Sequence, residues 1–135
     1  MKTLQKTTES KIQRKREFLY GELTYKINGI LFEAYKELGQ FAREKQYADV
    51  IEKKLKDKAI NFAREITIGN SGNVLDFLID DKIILELKAK PFLIREHYDQ
   101  IKRYLHETNL RLGILVNFRT SFLNPKRVLN PNFDN

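Results

Sequence analysis

The chain has 135 residues, the size of one ordinary domain, and at 41% hydrophobic and 32% charged it can bury a real core. It has no cysteine, which excludes a disulfide framework and a zinc-thiolate site, and no apolar run approaches the roughly 18 residues of a membrane span. A net charge of +7 and a pI near 9.6 point toward a polyanionic partner, and no signal-peptide pattern opens the chain, so a cytoplasmic protein is expected.

Residues 1–20 read as a basic N-terminal extension with Lys11, Arg14, Lys15 and Arg16 close together. Either a solvated tail or an arm on nucleic-acid backbone fits that composition. A domain over 21–130 follows, then a short tail over 131–135. Leu23, Ile27, Ile30, Leu31, Ala34, Tyr35 and Leu38 recur at helical spacing, and Gly39 is a natural stop. A second helix is predicted from about Ala42 to Lys58, with Tyr47, Val50, Ile51 and Leu55 as its buried stripe. Phe62 to Ile68 alternates as a strand, with Phe62, Arg64, Ile66 and Ile68 on one face and Ala63, Glu65 and Thr67 on the other. The run from Gly69 to Asn73 is a turn.

Two strands, roughly Val74–Ile79 and Ile83–Ala89, come next, and Pro91 ends the second. A third helix is predicted over Ile94–Thr108, and Leu112 to Val116 fits a buried strand. Because that strand follows a helical crossover, parallel pairing with an earlier strand is expected. Arg127 to Leu129 could add an edge strand. The order ααβββαβ describes an α/β domain with a mixed sheet flanked by helices. Both histidines, His97 and His106, fall in one segment, which makes a histidine-based metal site an unpromising reading.

The stretch from Asp76 to Lys88 carries the chemistry. Side chains alternate along a strand, so Glu86 and Lys88 share a face and Leu85 and Leu87 take the other. A three-residue loop at Asp80, Asp81 and Lys82 places Asp76 opposite Glu86; a two-residue loop sends Asp76 to the wrong side. Two carboxylates beside a lysine suit a metal-dependent phosphodiesterase. The same three residues also suit a half-exposed sheet with an ordinary salt bridge.

Beyond this hairpin, several pieces fall in a telling order: Gly29-Ile-Leu-Phe-Glu33, Glu37-Leu-Gly39, Glu44-Lys-Gln-Tyr47, Asp76-Phe-Leu, Ile84-Leu-Glu-Leu-Lys-Ala89, Gln100-Ile-Lys-Arg-Tyr-Leu105 and Leu110 through Phe118. Together they resemble the PD-(D/E)XK nuclease superfamily and, within it, the GxxExxY family of small nucleases. The chain departs from that pattern in three places. Phe41 stands at the glycine of the naming motif, Val74 where relatives often carry arginine, and Leu75 at the proline of the superfamily's name.

The resemblance implies a restriction-endonuclease-like core and Mg²⁺-dependent hydrolysis of phosphodiester bonds in DNA, with Mn²⁺ as a possible substitute. Asp76 and Glu86 would hold the metal, aided by the backbone carbonyl of Leu87, and Lys88 would sit by the attacking water. Glu44 would reach the site from the second helix, and Gln100 and Tyr104, one helical turn apart, would face the DNA or support Lys88. Lys102, Arg103 and Arg111 would hold the backbone electrostatically. A packing tyrosine beside an exposed glutamine, and simply solvated cations, remain the plain alternatives. No chemical step attaches to Glu33. Two further expectations are a possible homodimer and, as the competing function, a non-catalytic member of the fold that binds nucleic acid or a protein.

Overall fold

The computed structural model describes residues 19–133, so Lys11, Arg14, Lys15 and Arg16 lie outside the described residues. Two helices come first, α1 (Gly21–Leu38) and α2 (Glu44–Asp57), then three strands, β1 (Phe62–Ile68), β2 (Asn73–Ile79) and β3 (Ile83–Lys88). Helix α3 (Arg95–Thr108) leads into β4 (Leu112–Asn117), and β5 (Lys126–Leu129) completes the sheet before a 3₁₀ turn at Pro131–Phe133. The expected edge strand therefore forms, one residue longer than Arg127 to Leu129. Gly39 closes α1 with a φ of +72°, and its N–H donates to Tyr35 O at 2.7 Å. That left-handed conformation favours glycine.

The sheet runs in the order β1-β2-β3-β4-β5. Strands β3 and β4 are parallel, as the helical crossover requires, and the other three pairings are antiparallel. Helices α1 and α2 cover one face, where Ile27, Leu31, Ile51 and Leu55 pack on Phe77, Leu85, Leu87, Ile114 and Val116. On the other face, Ile101, Tyr104 and Leu105 of α3 pack on Leu75, Ile84 and Leu115. Strands β3 and β4 are thus covered on both sides, and β4 is buried along its whole length. Each Leu, Ile or Val withdrawn from water there contributes about 1.5–3 kcal/mol before chain entropy is counted. Gly113 lets α3 approach closely, because a Cβ there would lie 2.8 Å from Ile101 Cγ2.

The β1–β2 hairpin does not follow simple alternation. Phe62 packs under α1 and α2, whereas Ile66 and Ile68 pack under α3. On the partner strand, Phe77 and Ile79 go one way and Leu75 the other. The single face expected for Phe62, Arg64, Ile66 and Ile68 is therefore split in two. Its cause lies between them: Glu65 has a φ of +54°, and no ladder pair forms between Glu65 and Asp76 although the register is the same on both sides. The hairpin kinks there and changes faces. Beyond the kink its tip folds over α3, where Asn73 Nδ2 donates to Glu107 Oε2 at 3.3 Å.

If this kink is built into the backbone, the residue at 65 should be selected by its φ. Glu65→Val, with a β-branched side chain at positive φ, is expected to cost about 1–3 kcal/mol. Glu65→Gly should be neutral or slightly stabilising. Urea denaturation midpoints of the two variants against the parent measure the difference.

Candidate active site

The β2–β3 loop consists of Asp80, Asp81 and Lys82, and Phe77 lies opposite Leu85. Asp80 and Asp81 both take positive φ, 52° and 53°, a conformation that Asp tolerates better than most residues. The register is the one that brings Asp76 toward Glu86. The two do not, however, form a regular cross-strand pair. Backbone pairing stops at Phe77 and Leu85, and the carboxylates take over the hydrogen bonds. Asp76 N donates to Glu86 Oε1 at 2.8 Å, and Leu87 N donates to Asp76 Oδ2 at 2.8 Å. Each acid thereby satisfies an amide that the parting strands leave without a carbonyl.

Lys88 ends the same strand. Its ammonium donates to Gln100 Oε1 on α3 at 3.1 Å. Tyr104, one turn further, stands close enough to Glu86 and Asp76 for their negative charges to raise its hydroxyl pKa, after burial as the larger cause. Glu44, exposed at the first turn of α2, accepts from Ala89 N at 3.1 Å. It shares a cavity of about 190 Å³ with Asp76, Leu87, Arg64 and Glu65. Arg64 fixes that wall by donating to Asp49 Oδ1 at 2.8 Å and to Glu52 Oε2 at 2.9 Å. At the kink the Asp76 carboxylate stands near both Glu44 of α2 and Glu86 of β3.

Tyr47, the last residue of the Glu44-Lys-Gln-Tyr motif, is wholly buried and packs rather than reacts. Its ring stacks on Phe118 at 4.0 Å, its hydroxyl donates to Gly39 O, and Ala42 N donates to that hydroxyl. This arrangement sets the α1–α2 loop, and with it the start of the helix that carries Glu44.

The other sequence candidates disperse. Lys102 and Arg103 are exposed on the outer side of α3, beside His106 and Glu107, although the Arg103 charge reaches Tyr104. Arg111 precedes β4 at the opposite end of the sheet and lies over the Phe133 ring at 5.2 Å. His97 accepts from Ile94 N at 3.1 Å, a helix-start bond rather than a site contact. Glu33 pairs with Lys54 at 3.3 Å and Lys58 at 3.6 Å, which tie α1 to α2.

Sequence reasoning missed Asn117. This buried side chain, opposite Lys88 in the parallel pair, accepts from Lys90 N at 3.0 Å and donates to Lys90 O at 2.9 Å. It holds the chain leaving Lys88. The available signal was a lone amide closing the apolar run from Leu112 to Val116.

Electrostatically the acidic pair is strained. Glu86 is only 4% exposed, and burial, followed by the Asp76 charge, pushes its carboxyl up to about 8. Burial also raises Asp76, with Glu44 adding repulsion, against the opposing Leu87 hydrogen bond. Lys88 lowers both without cancelling either shift. Two hard carboxylate oxygens under-compensated for their charge fit a divalent cation such as Mg²⁺ or Mn²⁺. Among the described residues no group of three or more His, Asp or Glu converges on a metal, so backbone oxygen and water would have to complete the shell.

In the metal-free protein the raised Glu86 pKa has a definite sign. The folded state holds a proton that the unfolded chain releases from about pH 4.5, so stability falls as pH rises toward 8. Glu86→Gln should flatten that dependence. Melting temperatures in EDTA at pH 5 and pH 8 test it: the parent should lose several degrees more than the variant, as a change of about 1–2 kcal/mol would produce.

A search of curated proteins found no match. The sequence does match the PD-(D/E)XK nuclease superfamily over residues 21–128, which spans all three helices and all but the last residue of β5. A mixed sheet between helical layers, with paired acids on β2 and β3 and a lysine two residues after the second acid, agrees with that match. The fold is restriction-endonuclease-like, and the chain belongs to the PD-(D/E)XK nuclease superfamily.

Proposed function

We propose that the protein is a Mg²⁺-dependent nuclease that hydrolyses phosphodiester bonds in DNA. The observation that carries this reading is the convergence of Asp76, Glu86 and Lys88 where β2 and β3 part, with Gln100 on the lysine. Asp76, Glu86 and the Leu87 carbonyl would hold the ion, which when bound supplies charge neutralisation at phosphoryl oxygens and a more acidic water. Within the GxxExxY pattern, Glu44 adds a third negative charge on the far side of Asp76. From the cavity wall it would accept a proton from water.

Lys88 would supply the cation of the site. Its ammonium points from a buried strand toward Gln100, and a cation held there stabilises negative charge developing on a phosphoryl oxygen or orients the attacking water. Gln100 would hold that ammonium in place through the hydrogen bond it accepts. Tyr104, buried one turn beyond Gln100, would stand beside the pair on the α3 side. Lys102 and Arg103, being solvated, would act on the DNA backbone through long-range attraction and make binding strongly salt-dependent.

Purified protein incubated with DNA in Mg²⁺, Mn²⁺ or EDTA should cut only with metal. Asp76→Asn keeps an acceptor for Leu87 N while removing charge, and Lys88→Met keeps the packing of the stem. Each is expected to lower the cleavage rate by about a hundredfold or more. Unchanged cutting by both variants would place the chemistry elsewhere. Mg²⁺ should also raise the melting temperature of the parent at pH 8 but not that of Asp76→Asn, a readout independent of turnover.

A further inference from the structure

Three loops meet at the end of the sheet where the acids lie: residues 39–43 before α2, 89–94 after β3, and 118–125 after β4. Hydrogen bonds and stacking join them. Ala89 N donates to Glu44, Tyr35 Oη donates to Thr120 O at 2.6 Å, Asn117 clamps Lys90, and Tyr47 stacks on Phe118. Each loop exposes one phenylalanine: Phe41 at 76%, Phe92 at 69% and Phe122 at 85%. Each also carries one cation within three residues of it, Arg43, Lys90 and Arg119 respectively, and none contains an Asp or Glu. Arg119 Nε is withdrawn from solvent without a hydrogen-bond partner.

Three aromatic rings left in water, on loops that each carry a cation and adjoin the end of the sheet that bears the acids, are not explained by packing. Large apolar groups exposed together mark a binding surface. The accompanying charge makes that surface cationic as well as aromatic, which a purely apolar protein interface would not require. Base rings stack on aromatic side chains whatever their identity, and a basic groove follows the phosphates. In a duplex the faces of the bases are already stacked on one another, so such rings would find only the backbone. An unpaired strand presents both faces and phosphates together.

We infer that Phe41, Phe92 and Phe122 form a stacking rim that takes an unpaired DNA strand into the site, with Arg43, Lys90 and Arg119 on its phosphates. The inference rests on the nuclease reading for its destination but not for its contacts.

Fluorescence anisotropy of labelled (dT)15 and of a 15-base-pair duplex, both in EDTA, tests the binding apart from any cleavage. The single strand should bind at least tenfold tighter than the duplex. Each Phe→Ala change should weaken single-strand binding by about fivefold or more, each Phe→Tyr should restore it, and Phe→Leu should not. Because these rings are solvent-exposed, circular dichroism should show unaltered folding. Duplex binding as tight as single-strand binding would overturn the rim, as would full recovery with leucine or tighter binding of the matching RNA. Loss of a concentration-dependent dimer in the alanine variants would instead assign the rings to a second copy and also overturn it. A protein that cuts DNA through Asp76 yet ignores the three substitutions would fail this inference alone; stacking-dependent binding without cutting under any metal would fail the hydrolysis alone.

Discussion

The two hydrogen bonds exchanged between Asp76 and the Glu86–Leu87 segment hold the centre of this protein together. Where β2 and β3 separate, amides buried in the sheet would ordinarily lose their partners. The side chains of the two acids answer them instead. That solution satisfies the backbone but leaves two carboxyls in a poorly solvated place, where burial raises both pKa values. A hydrophobic pair would avoid that strain and would leave the amides bare. Backbone satisfaction and charge concentration are here the same feature, so the chemistry of the site is also part of the fold.

Around that exchange, supporting contacts come from both layers. Gln100 restrains Lys88 from the α3 side, and Glu44 caps Ala89 N from the α2 side. Asn117 fixes the chain just beyond, and Arg64 braces the cavity wall against Asp49 and Glu52. No one helix owns the site. Its side chains come from β2, β3, α2 and α3.

Much of this was legible in the chain. Helical spacing marked all three helices to within two residues at each end, because their apolar stripes face a single sheet. The crossover of α3 predicted the parallel pairing of β3 and β4, and three turn residues predicted the hairpin register. The kink was not legible. Phe62, Arg64, Ile66 and Ile68 alternate without a break, and a change of face at Glu65 leaves no mark in polarity when both faces are apolar. Asn117 escaped for a different reason: its role depends on Lys90 being next to it in space, 27 residues away in sequence. The cations Lys102, Arg103 and Arg111 matched by charge alone, and charge without a direction does not locate a residue.

The change of face has a consequence for how the molecule opens. A hairpin that contributed to one core could detach with its helical layer and leave the other intact. Here β1 and β2 feed Phe62, Phe77 and Ile79 into one core, and Ile66, Ile68 and Leu75 into the other. Neither layer can peel away without pulling on the strand that carries Asp76. The two cores are therefore coupled through the strand that carries Asp76, so a partial unfolding that loosens either layer would also disturb the acids at the kink.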